Sequence, residues 1–264
     1  MHQAVLLGLV HGPAELAPIS SSAHTTLLAW QRRWRYDELD PAARKRFEVG
    51  LHAGTAVALL IVTRREPGAR QLGVVLLACL PPAIAGALLQ GPIERRLGTP
   101  PTIAAGLLGG SLAMAVADLA GDRGRSRGDA RAADGIALGI GQAIALIPGV
   151  SRSGATRAAA RWRGFSPIEA EALSNAVGMP ITLGALALKG REALGSGRGE
   201  WAPLSAGALA AFASTLVSGS LTRQLGRSRS LLPYAAYRVA VAAAVVRRLR
   251  QNASDDRRLR RGRR

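Results

Sequence analysis

Cysteine is almost absent: Cys79 is the single one among 264 residues. It sits in an apolar run, so neither an intrachain disulfide nor a cysteine-based metal site can form, and its expected role is structural filler. Aromatic residues make up only 4% of the chain, fewer than a soluble core of this size would use, while 48% is hydrophobic. The apolar residues are mostly Ala, Leu, Val and Gly. That mix suits helices packed closely in lipid, where small side chains let backbones approach. Acidic residues are scarce too, 17 against 35 Lys and Arg, which leaves a net charge of +18. Nucleic acid is not the expected partner, because the arginines are spread through every loop between apolar blocks and gather densely only at 247–264. Contact with anionic lipid headgroups accounts for them more simply. The basic run and cleavage site of a removable signal peptide are also missing, so the first apolar block is expected to persist in the mature protein.

What is present is a series of apolar blocks, at about 5–30, 47–62, 71–89, 101–119, 135–150, 165–188, 204–222 and 231–246. The blocks, not the mean hydropathy of +0.14, decide the class: an all-α, polytopic integral membrane protein. The first and fifth blocks are interrupted, by Pro18 with Ser20, Ser21 and Ser22, and by Pro148 and Gly149 with Ser151, Arg152, Ser153 and Gly154. Broken backbone at membrane depth survives only where protein or trapped water satisfies it. Both segments therefore read as re-entrant hairpins whose tips line a polar cavity. Aligning Ser20 with Ser151 also places Gly8 on Gly139, His11 on Gln142, Ser22 on Ser153 and Thr25 on Thr156, a shift of about half the chain. A duplicated unit is the inference, with inverted topology and a site at the repeat interface. The expected organisation is a first membrane repeat at 1–120 with a re-entrant segment at 5–30, a polar linker at 121–134, and a second repeat at 135–246 with a re-entrant segment at 135–160. A basic, disordered tail at 247–264 completes it. Ser166, Pro167 and Glu169 form a capping box that predicts a helix start.

The chemistry-bearing residues cluster at the two interruptions. His11 and Glu15 are four apart and share one helical face, and an ionisable group inside a membrane segment is expensive enough that function is its default reading. Ser20, Ser21 and Ser22 could cap a helix, but His24 next to them adds a base or nucleophile. In the second interruption Gly149 and Gly154 let the backbone turn and expose N–H groups, while Ser151, Ser153 and Thr156 surround Arg152 with hydroxyls. A guanidinium matches phosphate oxygens with a planar fork, and a buried one needs an anion, either Glu15 or a phosphate. Carboxylate, hydroxyl and imidazole from one repeat, with guanidinium and amides from the other, suit phosphoryl transfer. Duplicated hairpins are also a transporter trait, so a transporter or flippase of a phosphorylated polyprenyl lipid is the alternative reading.

The run GLVHGPAELAPISSSAH at 8–24 resembles the N-terminal signature of the bacterial undecaprenyl-diphosphate phosphatases, the bacitracin-resistance family. The run QAIALIPGVSRSGAT at 142–156 resembles their second signature, and FEVGLHAGT at 47–55 and PYAAYR at 233–238 also look like family segments. The resemblance implies hydrolysis of undecaprenyl diphosphate to the monophosphate in the bacterial plasma membrane, recycling the carrier lipid for the cell wall, at a site facing outward. It implies catalytic roles for Glu15, Ser21, His24 and Arg152, with Ser21 or His24 as nucleophile. Ser20, Ser22, Ser151, Ser153, Gly154 and Thr156 would bind the polyprenyl diphosphate. A divalent cation, Mg²⁺ or Ca²⁺, is expected at Glu15, and a homodimer is compatible with the pattern. Two departures stand out: the family usually carries a second glutamate where this chain has His11, and Gln is common where His52 stands. Losing a carboxylate weakens a site for hard cations, which prefer oxygen ligands, and leaves His11 as a candidate proton shuttle.

Overall fold

A computed structural model describes residues 1–62, 69–120, 124–195, 201–225 and 230–261. Every regular element among them is helical. The interrupted first block forms α1 (His2–Leu16) and α2 (Ser21–Arg32). After a 3₁₀ turn at Arg35–Glu38 come α3 (Pro41–Val62), α4 (Ala69–Leu97) and α5 (Pro100–Leu119). The interrupted fifth block forms α6 (Ala132–Ile144) and α7 (Arg152–Trp162), followed by α8 (Pro167–Gly195), α9 (Trp201–Leu225) and α10 (Leu232–Arg261). Four stretches are long and apolar enough to cross a bilayer: Gln71–Ile93, Pro100–Leu119, Pro167–Leu188 and Trp201–Leu221. Twenty helical residues cover about 30 Å, the thickness of the hydrocarbon. The chain is a helical, multi-pass membrane protein.

The surface agrees with that class. Along α4, Leu72, Leu76, Leu80, Ile84 and Leu88 recur every four residues and are each at least half exposed. Such an apolar stripe would be unfavourable in water and is at home against lipid. The opposite face of α4 buries Val74, Val75 and Ala78 with Leu138 of α6 and Leu173 and Val177 of α8. Pro81 and Pro82 lie inside α4 without ending it. Pro82 has no N–H for the carbonyl of Ala78, and the side-chain amide of Gln142 donates to that carbonyl at 3.0 Å. Elsewhere α1 packs on α9, α6 on α4, α3 on α8 and α9, and α5 on α10.

Two expectations are corrected here. The tail, expected to lack order from residue 247, continues α10 as helix to Arg261, because Arg, Leu, Ala and Gln are all good helix formers. Residues 262–264 lie outside the described residues. The segment expected to be a polar linker to residue 134 carries a 3₁₀ turn at Arg127–Asp129 and gives its last residues to α6. Arg125 donates to both oxygens of Asp134, at 3.2 and 2.8 Å, and Arg163 Nε donates to one of them at 2.6 Å. Asp134 also accepts from the N–H of Arg131, and so caps α6, which starts at Ala132 within the expected linker. Residues 121–123 lie outside the described residues. The capping box at α8 forms by half: Ser166 Oγ accepts from the N–H of Glu169 at 3.4 Å, while the Glu169 side chain turns to Arg127.

Candidate active site

Both interruptions fall where the sequence puts them, and they meet. After α1 the backbone becomes extended at Ala17, and Ser20 takes φ 76°, a left-handed conformation uncommon for serine, before α2 begins at Ser21. After α6 the chain passes through turns to Gly149 at φ 95°, and Ser151 caps α7 by accepting from the N–H of Gly154 at 3.2 Å. Any side chain at Gly149 would run into the carbonyl of Ile103 on α5. Glycine is thus required there twice, by conformation and by space.

The two breaks are joined by charge. Arg152 Nη2 donates to Glu15 Oε1 at 2.7 Å, and Ser21 Oγ donates to Glu15 Oε2 at 2.5 Å. Arg152 can lie there because Gly178 on α8 has no side chain: a Cβ would collide with the guanidinium. A cleft of about 170 Å³ opens beside this group. Glu15, Ser20, Ser21 and Ser22 line it from the first break, and Ser151, Arg152 and Ser153 from the second. The first turns of α2 and α7 therefore border the same space, with the positive ends of two helix dipoles and their unsatisfied N–H groups. A guanidinium, several hydroxyls and two helix N-termini around a small cleft make a receptor for an anion with many oxygens. A second, smaller opening shares Glu15, Arg152 and Ser153 and is bounded by Leu59 of α3 and Met179 of α8.

Three expected site residues lie elsewhere. His24 is not in the cleft wall: its Nδ1 donates to the carbonyl of Ser20 at 2.8 Å, and its Nε2 lies 2.9 Å from the Tyr237 hydroxyl. The ring stacks on Tyr237, with planes 8° apart. The hydrogen bonds to the Ser20 carbonyl and the Tyr237 hydroxyl hold the imidazole toward α10. Thr156 is buried behind the cleft, donating to the carbonyl of Arg152 and lying 2.5 Å from Ser174 Oγ. Gly154 is buried as well, with its N–H committed to Ser151, so it offers no amide to a ligand.

Sequence reasoning gave no role to three residues that the fold brings to the site. Arg238 is fully buried. It donates to Pro18 O in the first break at 3.0 Å, to Gly149 O in the second at 2.9 Å, and to Leu107 O on α5 at 3.2 Å. One guanidinium thus takes up carbonyls that both broken segments leave without helical partners. The readable signal was an arginine within the apolar stretch of α10, next to Tyr237. His52 lines the cleft, and Thr55 lies one turn further along α3, 3.1 Å from His11 Nδ1.

Residues 4–244 match the family described as Bacitracin resistance protein BacA. The chain belongs to that family. Among its relatives, the Undecaprenyl-diphosphatase of Geobacter sulfurreducens is 37% identical, over 93% of this chain and 97% of the relative. That of Moorella thermoacetica is 34% identical over 92% and 96%, and that of Geobacter metallireducens 33% identical over 92% and 96%. In this BacA protein both signature runs that carry the resemblance, at 8–24 and 142–156, are the segments that build the cleft.

Proposed function

We propose that this BacA protein removes the terminal phosphate of undecaprenyl diphosphate, leaving the monophosphate, and acts in the bacterial plasma membrane. The observation that carries this reading is the Ser21, Glu15 and Arg152 chain of contacts at the mouth of an anion-shaped cleft, in a protein whose relatives bear the name Undecaprenyl-diphosphatase. Without substrate, Glu15 neutralises Arg152. A diphosphate entering the cleft draws the guanidinium to its oxygens, which frees Glu15 to act as base toward Ser21. Ser21 Oγ attacks the terminal phosphorus while its proton passes to Glu15. The bond to the bridging oxygen breaks, and the lipid monophosphate leaves with the electron pair. Water then attacks the phosphoserine phosphorus: the P–Oγ bond breaks, Glu15 returns its proton to Ser21 Oγ, and the phosphate departs with the oxygen and both protons of the water. A phosphate monoester has its second pKa near 6, so the leaving group needs charge neutralisation more than a strong acid. Arg152 and the two helix N-termini supply it. The prenyl tail leaves the cleft through the smaller opening between α3 and α8, where Leu59 and Met179 offer apolar walls. His24, held by Ser20 and Tyr237, positions the first break and is not the nucleophile.

We also propose that the chain is two inverted repeats, 1–120 and 135–246, each with a re-entrant hairpin at its break, opening to the outer face. The pairing of helices supports this: exchanging α1 with α6 and α4 with α9 turns the α1–α9 contact into the α6–α4 contact, and leaves α5 on α10 when these two are exchanged. Mg²⁺ or Ca²⁺ does not fit the residues present. Among the described residues Glu15 is the one carboxylate that lines the cleft, and its neighbours are imidazoles where a hard cation takes six or more oxygens, so no step is routed through either ion.

Phosphate release by the purified full chain in detergent tests the reading. Turnover of undecaprenyl diphosphate with formation of the monophosphate is expected. Absence of release together with translocation of the intact lipid across vesicles would favour a transporter.

A further inference from the structure

Beside the Glu15–Arg152 pair, the wall of the site is made of two imidazoles. His11 is 1% exposed, His52 lines the cleft, and their rings meet edge to face at 4.6 Å between centroids. One donor atom from each of His11, Glu15 and His52 lies within 4.8 Å of the other two. Thr55 Oγ1 holds His11 Nδ1 at 3.1 Å, and Thr215 stands 3.4 Å behind Thr55. A ring fixed through one nitrogen presents the other, Nε2, in a set direction, which is how histidines that bind metals are usually oriented.

We propose that His11, His52 and Glu15 form a three-ligand site for a borderline transition dication, Zn²⁺ in the first place, with its open position toward the diphosphate cleft. The occupant of that open position rests on the functional reading above; the three protein ligands do not. Two imidazoles and one carboxylate form a donor set used by zinc enzymes that keep a position free for water or substrate. The same set is wrong for Mg²⁺ and Ca²⁺, which take six or more oxygens, whereas imidazole suits zinc and its neighbours. Glu15 has capacity to spare: a carboxylate offers about four lone-pair positions, and Arg152 and Ser21 use two. Tetrahedral bonds of about 2.1 Å set donors about 3.4 Å apart, so closure asks for side-chain shifts of about 1 Å. The ion lies near Arg152, and a diphosphate would compensate both cations. Ion and anion should therefore raise each other's affinity by the same factor.

Titration of the full chain in detergent, after stripping with chelator, tests this without any assay of turnover. The probe is Co²⁺, whose visible d–d absorption reports low coordination number. One Co²⁺ per chain is expected, displaced by Zn²⁺ and not by Mg²⁺ in about hundredfold excess. His11→Ala and His52→Gln should each weaken Co²⁺ binding by about 100-fold, and Thr55→Val by about tenfold with the band shape retained. Helix content by circular dichroism separates loss of a ligand from loss of the fold. Absence of d–d bands in the parent, or the same affinity in folded His11→Ala and His52→Gln, would overturn the site. A protein that releases phosphate but binds no Co²⁺ overturns this inference alone; one that binds Co²⁺ as described but releases no phosphate leaves the metal site standing and removes the functional reading.

Discussion

Glu15 is the residue on which both breaks converge, and its neighbours define what each substitution should do. Ser21→Ala removes the hydroxyl that donates to Glu15 and, with it, the proposed phosphoryl acceptor. Phosphate release should fall by at least about 10³-fold while lipid binding stays close to the parent's, as measured by kcat and KM separately. Gly178→Ala touches no substrate, yet its new methyl group would occupy the space of the Arg152 guanidinium. A loss of about tenfold or more in kcat/KM, with unchanged helix content, is the expected result. Asp134, which caps α6, should give stability a pH dependence. Burial works to raise its pKa, but hydrogen bonds from Arg125, Arg163 and the Arg131 N–H outweigh this and hold it down to about 2. A depressed carboxyl stabilises above its unfolded value and loses that contribution as pH falls through the folded one. Asp134→Asn should therefore lower the thermal stability at neutral pH by about 3 kcal/mol. The gap to the parent should close as pH drops from about 4 toward 2, which unfolding in detergent at graded pH would read.

At the scale of elements, the two broken segments are held by a residue from neither of them. Arg238 on α10 bridges Pro18, Gly149 and Leu107. Arg238→Met keeps much of the volume but leaves the Pro18 and Gly149 carbonyls without this donor, at about 1–3 kcal/mol each, while the Leu107 carbonyl still accepts from Ser111 Oγ. Both breaks should loosen together, so faster hydrogen exchange at residues 17–22 and 147–153 in the same variant is the expected outcome. Exchange that rises in one segment alone would argue against a shared clamp. The breaks themselves were legible because proline, glycine and serine together interrupt apolar runs. The clamp was not, since nothing in a linear pattern says that an arginine at 238 folds back on residues 18 and 149. The partner of His24 was not legible for a related reason: closeness in sequence to Ser21 suggested a catalytic pair, whereas the ring packs on Tyr237. Order in the tail was missed because composition suggests solvation, while the helix propensity of its arginines and leucines extends α10.

For the whole molecule, apolar blocks read along the chain became ten α-helices among the described residues, four of them long and apolar enough to span a bilayer, with the leucine stripe of α4 facing outward. The meeting of the two breaks at one cleft was an expectation drawn from the likeness of residues 8–25 to 139–156. The direct contact between Glu15 and Arg152 was open in the sequence, where a phosphate was an equal candidate for the arginine's partner. That contact joins the two breaks, and in the proposed mechanism it is where the diphosphate intervenes. The most direct measurement is the rate of phosphate release from undecaprenyl diphosphate by Arg152→Ala beside the parent, in detergent at saturating lipid. Turnover lower by at least about 10³-fold, with normal helix content, is expected of a site whose charge stabilisation comes from that guanidinium. Turnover within about threefold of the parent's would contradict it.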